Sequence, residues 1–224
     1  SLIAYNFAYS CQQLGGHVIW VDAEQSWMNS WAQTNGVDPE RVTVVNDTRI
    51  ENVADAVADL ALYFRSQLIH NEPILLVIDS VAAMDCADNI DSKMTDAKAE
   101  KGGRAKALYK YFRIRSELFY RLGVTQIYIN QLRTALNVGF GKDNTTTTGG
   151  AALKFYASIR AAFYSGRSIT VKQKGKERKA GKLVTVRLIK NKVAPRSPTI
   201  SKCRVYFNPK WHGVGLDRCF GLEE

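Results

Sequence analysis

Hydrophobic and polar positions follow two alternating periods through the first half of the chain. From 1 to 14, Leu2, Ile3, Tyr5, Phe7, Ala8 and Leu14 recur at broadly helical spacing, and Gly15-Gly16 stop that helix. HVIWVD, 17 to 22, is an apolar strand ending in Asp22, and 28 to 35 fits a short helix closed by Gly36. RVTVV, 41 to 45, is a β-branched strand. Val53, Ala56, Val57, Leu60, Ala61 and Phe64 form the apolar stripe of a helix over 50 to 69. ILLVIDS, 74 to 80, sends five apolar residues straight into Asp79. Too short for a typical helix, it reads as a central strand of a parallel sheet, buried on both faces.

The second half changes character. Residues 85 to 103 are polar and read as a mobile loop. Leu108, Tyr111, Phe112, Leu118 and Phe119 mark a helix over 104 to 122, and VTQIYIN, 124 to 130, is another strand. A Gly- and Thr-rich loop follows over 134 to 150. YASIRAAFY, SITVKQK, KLVTVRLIK and KCRVYF then read as strands in antiparallel hairpins. The expected fold is α/β: a mostly parallel central sheet extended by antiparallel hairpins, with helices on both faces. No internal repeat or linker divides residues 1–224, so one domain is expected.

Composition narrows the picture only in places. The chain has 224 residues, 46% hydrophobic and 23% charged, an ordinary globular balance. No apolar run approaches the roughly 18 residues that span a bilayer, and no signal peptide is visible. The four cysteines, at 11, 86, 203 and 219, make no metal-ligand spacing and read as reduced thiols of a cytoplasmic protein. The net charge of +10 favours a polyanionic partner. Part of that charge lies in 172 to 182, where Lys172, Lys174, Lys176, Arg178, Lys179 and Lys182 face only Glu177. This reads either as a basic hairpin tip that holds a DNA duplex electrostatically or as a solvated turn.

The candidate chemistry begins at ILLVIDS. An Asp at the carboxyl end of a buried parallel strand faces the crevice where such sheets bind ligands. With Ser80 beside it, Asp79 has the form of a Walker-B element, whose carboxylate holds the water shell of a nucleotide-bound Mg²⁺. A core strand ending in a turn-forming Asp is the plainer alternative.

Five pieces then align: VDAEQ, ILLVIDS, INQLR, TTTTGGAALKFYAS and IKNK. Together they resemble the RecA-type recombinases of bacteria and phages, from Ser1 to about Gly215, with TTTGG followed by ALKFYAS the most specific piece. The resemblance implies a RecA-like ATPase core. Its activity would be ATP- and Mg²⁺-dependent filament formation on single-stranded DNA and strand exchange with a homologous double-stranded DNA, in a bacterial cell or phage-infected host.

It also implies roles residue by residue. Glu24 matches the general base for the attacking water, against the alternative of a solvated acid. Ser1 falls on the Mg²⁺-ligating hydroxyl, Asp79 acts on the metal through water, and Ser80 lies beside it. Trp31 falls at the adenine-stacking aromatic, or is a core tryptophan; Met28 stands where an Asp is common. Gln131 matches the γ-phosphate sensor that switches the following loop, unless Asn130-Gln131 merely caps a strand. In that loop Arg133 would contact phosphate, Leu136 or Val138 would wedge between bases, and Thr147, Thr148, Gly149 and Gly150 would donate to phosphates. A flexible linker is the alternative there. Arg104 and Lys98 of the first loop would also meet phosphate. Lys190 and Lys192 would reach a neighbouring subunit's ATP, as an arginine finger in trans does, with Lys154 and Phe155 at the same helical homo-filament interface. Tyr164 and Ser165 stand where basic residues are usual.

The family's Gly-rich phosphate loop would end at Ser1. The phosphate loop, the N-terminal polymerisation helix and the C-terminal domain are therefore expected to be missing, and the 224-residue chain is expected to turn over no ATP alone. Two other functions remain open: a non-catalytic mediator or paralogue that binds DNA, and a hexameric helicase.

Overall fold

The computed structural model describes residues 1–68, 71–92, 102–134, 145–173, 175–194, 199–207 and 215–217. Four strands form the parallel sheet: β1 (His17–Asp22), β2 (Val42–Val45), β3 (Ile74–Asp79) and β4 (Val124–Tyr128), in the order β2-β1-β3-β4. Every residue of β3 is buried, as the unbroken ILLVID run predicts.

The pleat separates two cores. Register pairs Val18 with Leu75 and Trp20 with Val77, and these four pack with Tyr5, Ala8 and Cys11 of α1 (Leu2–Gln13) and Ala32 of α2 (Asn29–Thr34). Ile19, Val21, Leu76 and Ile78 point the other way. They meet Val53 and Val57 of α3 (Ile50–Gln67), and Leu108, Phe112 and Phe119 of α5 (Gly103–Arg121). The predicted helices thus cover both sheet faces.

Three local features differ from the sequence expectations. Residues 85 to 103 are not all loop: α4 (Ala87–Asp91) forms within them, held by the Ala87 N–H on Glu51 Oε2 at 3.0 Å. The segment read as strand YASIRAAFY begins instead inside α6 (Ala152–Tyr156), and the strand starts only at Ile159. The two strands expected on either side of Gly166 are one, β7 (Ile159–Gln173), with a register shift between Ser165 and Ser168. A Cβ at Gly166 would lie 2.7 Å from the Leu183 carbonyl oxygen, so glycine lets the strand bend through that irregularity without breaking.

Among the described residues the antiparallel strands form a sheet of their own beside the parallel one. β7, β8 (Lys176–Asn191), β9 (Ile200–Tyr206) and β10 (Gly215–Leu216) make a second sheet, ordered β10-β9-β8-β7. Among the described residues β4 pairs only with β3, and β7 only with β8. A small hairpin of β5 (Leu132–Thr134) and β6 (Thr145–Thr147) stands just past the end of β4.

Candidate functional site

Strand register brings the site together. Asp22 and Asp79 are direct neighbours at the carboxyl ends of β1 and β3. The ladder continues past both ends: Glu24 N–H donates to the Asp79 carbonyl at 3.3 Å, Ile129 N–H to Ile78 at 3.0 Å, and Val81 N–H to Ile129 at 2.9 Å. Ser80 and Asn130 therefore sit at one level, with Glu24 and Gln131 just above them.

Side chains close the arrangement. Ser80 Oγ and Gln131 Nε2 both donate to Glu24 Oε1, the latter at 3.2 Å. Glu24 and Gln131 are exposed, whereas Asp22, Asp79 and Ser80 are buried. A solvent-facing carboxylate thus stands on a rigid floor. Asp22 builds that floor: its carboxylate accepts the N–H groups of Ser26 at 3.0 Å and Trp27 at 2.8 Å, and so shapes the turn carrying Glu24. This positioning role was not assigned from the sequence, where Asp22 read only as a strand end.

The electrostatics favour a cation. Burial pushes the Asp79 carboxyl above its ordinary value; the Ser1 hydroxyl opposes this, while Glu24 and Asp22 add to the rise. A buried carboxylate among other carboxylates is relieved by a bound positive charge. Ser1, Asp79, Ser80 and Glu24 offer hard oxygen donors, the chemistry Mg²⁺ takes with several of its waters retained. The amino end of α1, at Ser1, adds the positive end of a helix on the same side, which suits a phosphate. These residues fit a Mg²⁺–nucleotide.

Trp31 is half-buried at the margin of the α1-side core. The sharper aromatic feature is Trp27, with its ring 5.6 Å from Tyr5 and 5.0 Å from Trp20. Burial, with Asp79 and Asp22 nearby, raises Tyr5 to about 12, so it stays a neutral phenol.

Asn130 links the strand tip to the following loop. Its Nδ2 donates to the Thr148 carbonyl at 2.9 Å, and Thr148 Oγ1 donates back to Asn130 Oδ1 at 2.5 Å. Thr147 pairs with Leu132 across the hairpin, one residue from Gln131. Arg133 is exposed on the same hairpin. Gly149 and Gly150 have φ of +88° and +71°. A Cβ on Gly149 would come within 2.6 Å of Leu108 Cδ1, so this glycine lets the loop return against α5. Leu136, Val138 and Lys98 lie outside the described residues.

Other predicted residues fall elsewhere. Arg104 is engaged within the chain, donating to Asp85 Oδ2 at 3.0 Å. Lys190 donates to the carbonyls of Lys154 and Phe155 at 2.7 and 2.9 Å, capping the end of α6 in its own chain. Desolvation, then the charges of Lys192 and Arg160, lower the Lys190 ammonium from its ordinary value. Phe155 stands 71% exposed, free for a contact outside the chain. None of Arg104, Lys190 or Phe155 makes a described contact with Glu24, Asp79 or Gln131.

Comparison with known proteins gives one consistent result. The family model described as the RecA N-terminal domain matches residues 1–208. Among curated relatives, the protein named RecA of Sulfurimonas denitrificans is 36% identical over 194 residues, covering 86% of this chain and 52% of its own length. RecA of Bacteroides thetaiotaomicron is 35% identical over 194 residues, covering 86% and 54%. RecA of Campylobacter hominis is 36% identical over 186 residues, covering 83% and 49%. The chain spans about half the length of the curated relatives it matches. Among the described residues no helix is long and apolar enough to cross a membrane.

Proposed function

The chain belongs to the RecA family, and on that premise we propose that the protein it represents is an ATP- and Mg²⁺-dependent recombinase. It assembles as a helical filament on single-stranded DNA and exchanges strands with a homologous duplex. The observation that carries this reading is the convergence of Ser80 and Gln131 on one oxygen of Glu24, above the paired Asp22 and Asp79. Groups from three strand tips thus meet at one carboxylate oxygen.

When bound, Mg²⁺-ATP supplies the transferable phosphoryl group and the positive charge that offsets it. Glu24 orients the attacking water and takes its proton. Ser1 would ligate the Mg²⁺ directly, and Asp79, with Ser80 beside it, would hold it through water. Gln131 exchanges its Glu24 contact for a phosphate oxygen, and Asn130 carries that movement to Thr148 and the DNA-facing loop. Arg133, Thr147, Thr148 and the backbone of Gly149-Gly150 line the single strand. Lys190 leaves the α6 carbonyls to join Lys192 at the neighbour's triphosphate, so the hydrolytic site is complete only between two subunits. Phe155 packs at that interface.

The test is single-stranded-DNA-stimulated ATP turnover by the intact protein. Glu24→Gln should lower turnover by about 10²–10⁴-fold while filaments still form on DNA. Wild-type turnover without DNA dependence, or rings instead of filaments by electron microscopy, would contradict the reading. No turnover at all, with DNA binding intact, would favour a mediator.

A further inference from the structure

We propose that the outer end of the β7–β8 hairpin is a docking arm for duplex DNA. The proposal rests on the recombinase reading for its biological partner, the homologous duplex, but its binding test stands apart from ATP turnover.

The geometry isolates the arm. Among the described residues β9 pairs with β8 from Gly181 to Arg187, and its last bond toward the hairpin tip runs from the Phe207 N–H to the Ala180 carbonyl. Beyond that point Thr170–Gln173 pair with Lys176–Lys179 and with no third strand among the described residues. The two-stranded section carries four residue pairs, a length of roughly 13 Å at the usual strand rise. Both its faces are open, and the described side chains from Lys172 to Lys179 are exposed.

The charge is one-sided. Lys172, Lys176, Arg178 and Lys179 lie on the arm, with Arg167 and Lys182 at its base, against the single acid Glu177. None of these six cations forms an ion pair or side-chain hydrogen bond with another described residue. A free-standing two-stranded ribbon is marginal on its own, and concentrating like charges on it costs stability. The cations therefore do not serve the fold.

The arm's composition selects among polyanions. A membrane surface requires an apolar face, and between Thr170 and Lys179 the larger apolar residue is Val171 alone. Binding of single strands leans on aromatic platforms, and this section has no aromatic residue. What remains is a narrow two-stranded ribbon with phosphate-seeking side chains on both faces. The major groove of B-DNA, about 12 Å wide, admits such a ribbon and brings phosphates to either side of it.

The 224-residue chain carrying Lys176→Glu, Arg178→Glu and Lys179→Glu tests the arm by fluorescence anisotropy on a short duplex and on a single strand of equal length. The changes lie on exposed ribbon, so circular dichroism should report an unchanged fold. Duplex affinity should fall at least about tenfold, and the slope of log K against log salt should shrink by about 2–3. Single-strand binding should change much less, and Lys176→Arg with Lys179→Arg should keep wild-type duplex affinity. Unchanged duplex affinity and slope would overturn the proposal. So would equal losses on both DNA forms, which would make the arm a general polyanion contact. Capture of the wild type but not the variant by phosphatidylserine vesicles, with DNA binding unaltered, would overturn it in favour of a lipid surface. A protein lacking ATP turnover but passing the duplex test would lose the recombinase reading and keep the arm.

Discussion

β3 and β7 are both strands, yet β3 is buried at every position and β7 buries only Ala162. Helices cover both faces of the parallel sheet around β3, so β3 is apolar up to Asp79 and its chemistry is confined to the strand tip. The antiparallel sheet leaves much of both faces open, so its chemistry lies along the strands as charge. A buried strand thus places a few groups rigidly at one edge. An exposed ribbon instead presents many groups, each loosely held.

That contrast predicts its own largest effect. Leu76→Ala, in the middle of β3, should cost about 2–5 kcal/mol in urea unfolding. Ile189→Ala on β8, where the side chain is 49% exposed, should fall within about 0.5 kcal/mol. Comparable losses at the two positions would erase the distinction.

The core and the site were legible in the sequence to different depths. The ILLVID run announces a strand buried on both faces because only such a strand needs apolar residues at consecutive positions. VTQIYIN and VDAEQ place Gln131 and Glu24 at strand ends because there a strand pattern gives way to polar residues. What the sequence could not carry were contacts made over long separations. The strand reading took in Tyr156, an aromatic that favours strands, whereas Tyr156 closes α6, whose end is satisfied by Lys190, thirty-six positions from Lys154. α4 is short, and Glu51 of α3 holds its first turn. Asn130 looked like a strand cap, while its partner Thr148 lies eighteen residues on. The separation of the two sheets was equally hidden, because a strand's pattern shows which faces are covered and not which neighbour it pairs with.

Smaller effects sharpen the boundary between the rigid edge and the loop that follows β4. Gly149→Ala meets both a positive φ and the Leu108 side chain, and should destabilise by about 1–3 kcal/mol. Asn130→Ala removes two bonds to Thr148 and should cost about 1–2 kcal/mol. Its main readout should be faster hydrogen exchange of the β5–β6 hairpin, with β3 unchanged. Slower or unaltered exchange in the hairpin would separate Asn130 from the loop.

The smallest effect is electrostatic. Burial raises the Asp85 carboxyl, but hydrogen bonds from Arg104, Asn89 and the Cys86 N–H outweigh it and hold the group below its ordinary value of 3.8. A depressed folded value means stability that is present above pH 3.8 and lost as pH falls through the lower folded value. Arg104→Gln should remove part of this loss, flattening the acid limb of the melting curve. An acid limb identical to wild type would show that the Arg104–Asp85 pair adds nothing measurable, as many exposed pairs do.

The most direct test of the central claim is the affinity of the intact protein for single-stranded DNA with and without ATP, in the wild type and in Gln131→Ala. If Gln131 reports the phosphate to the loop, wild-type affinity should rise with ATP, and the variant should bind ATP yet lose most of that rise. A variant that binds ATP and keeps the full nucleotide-dependent gain would contradict the account.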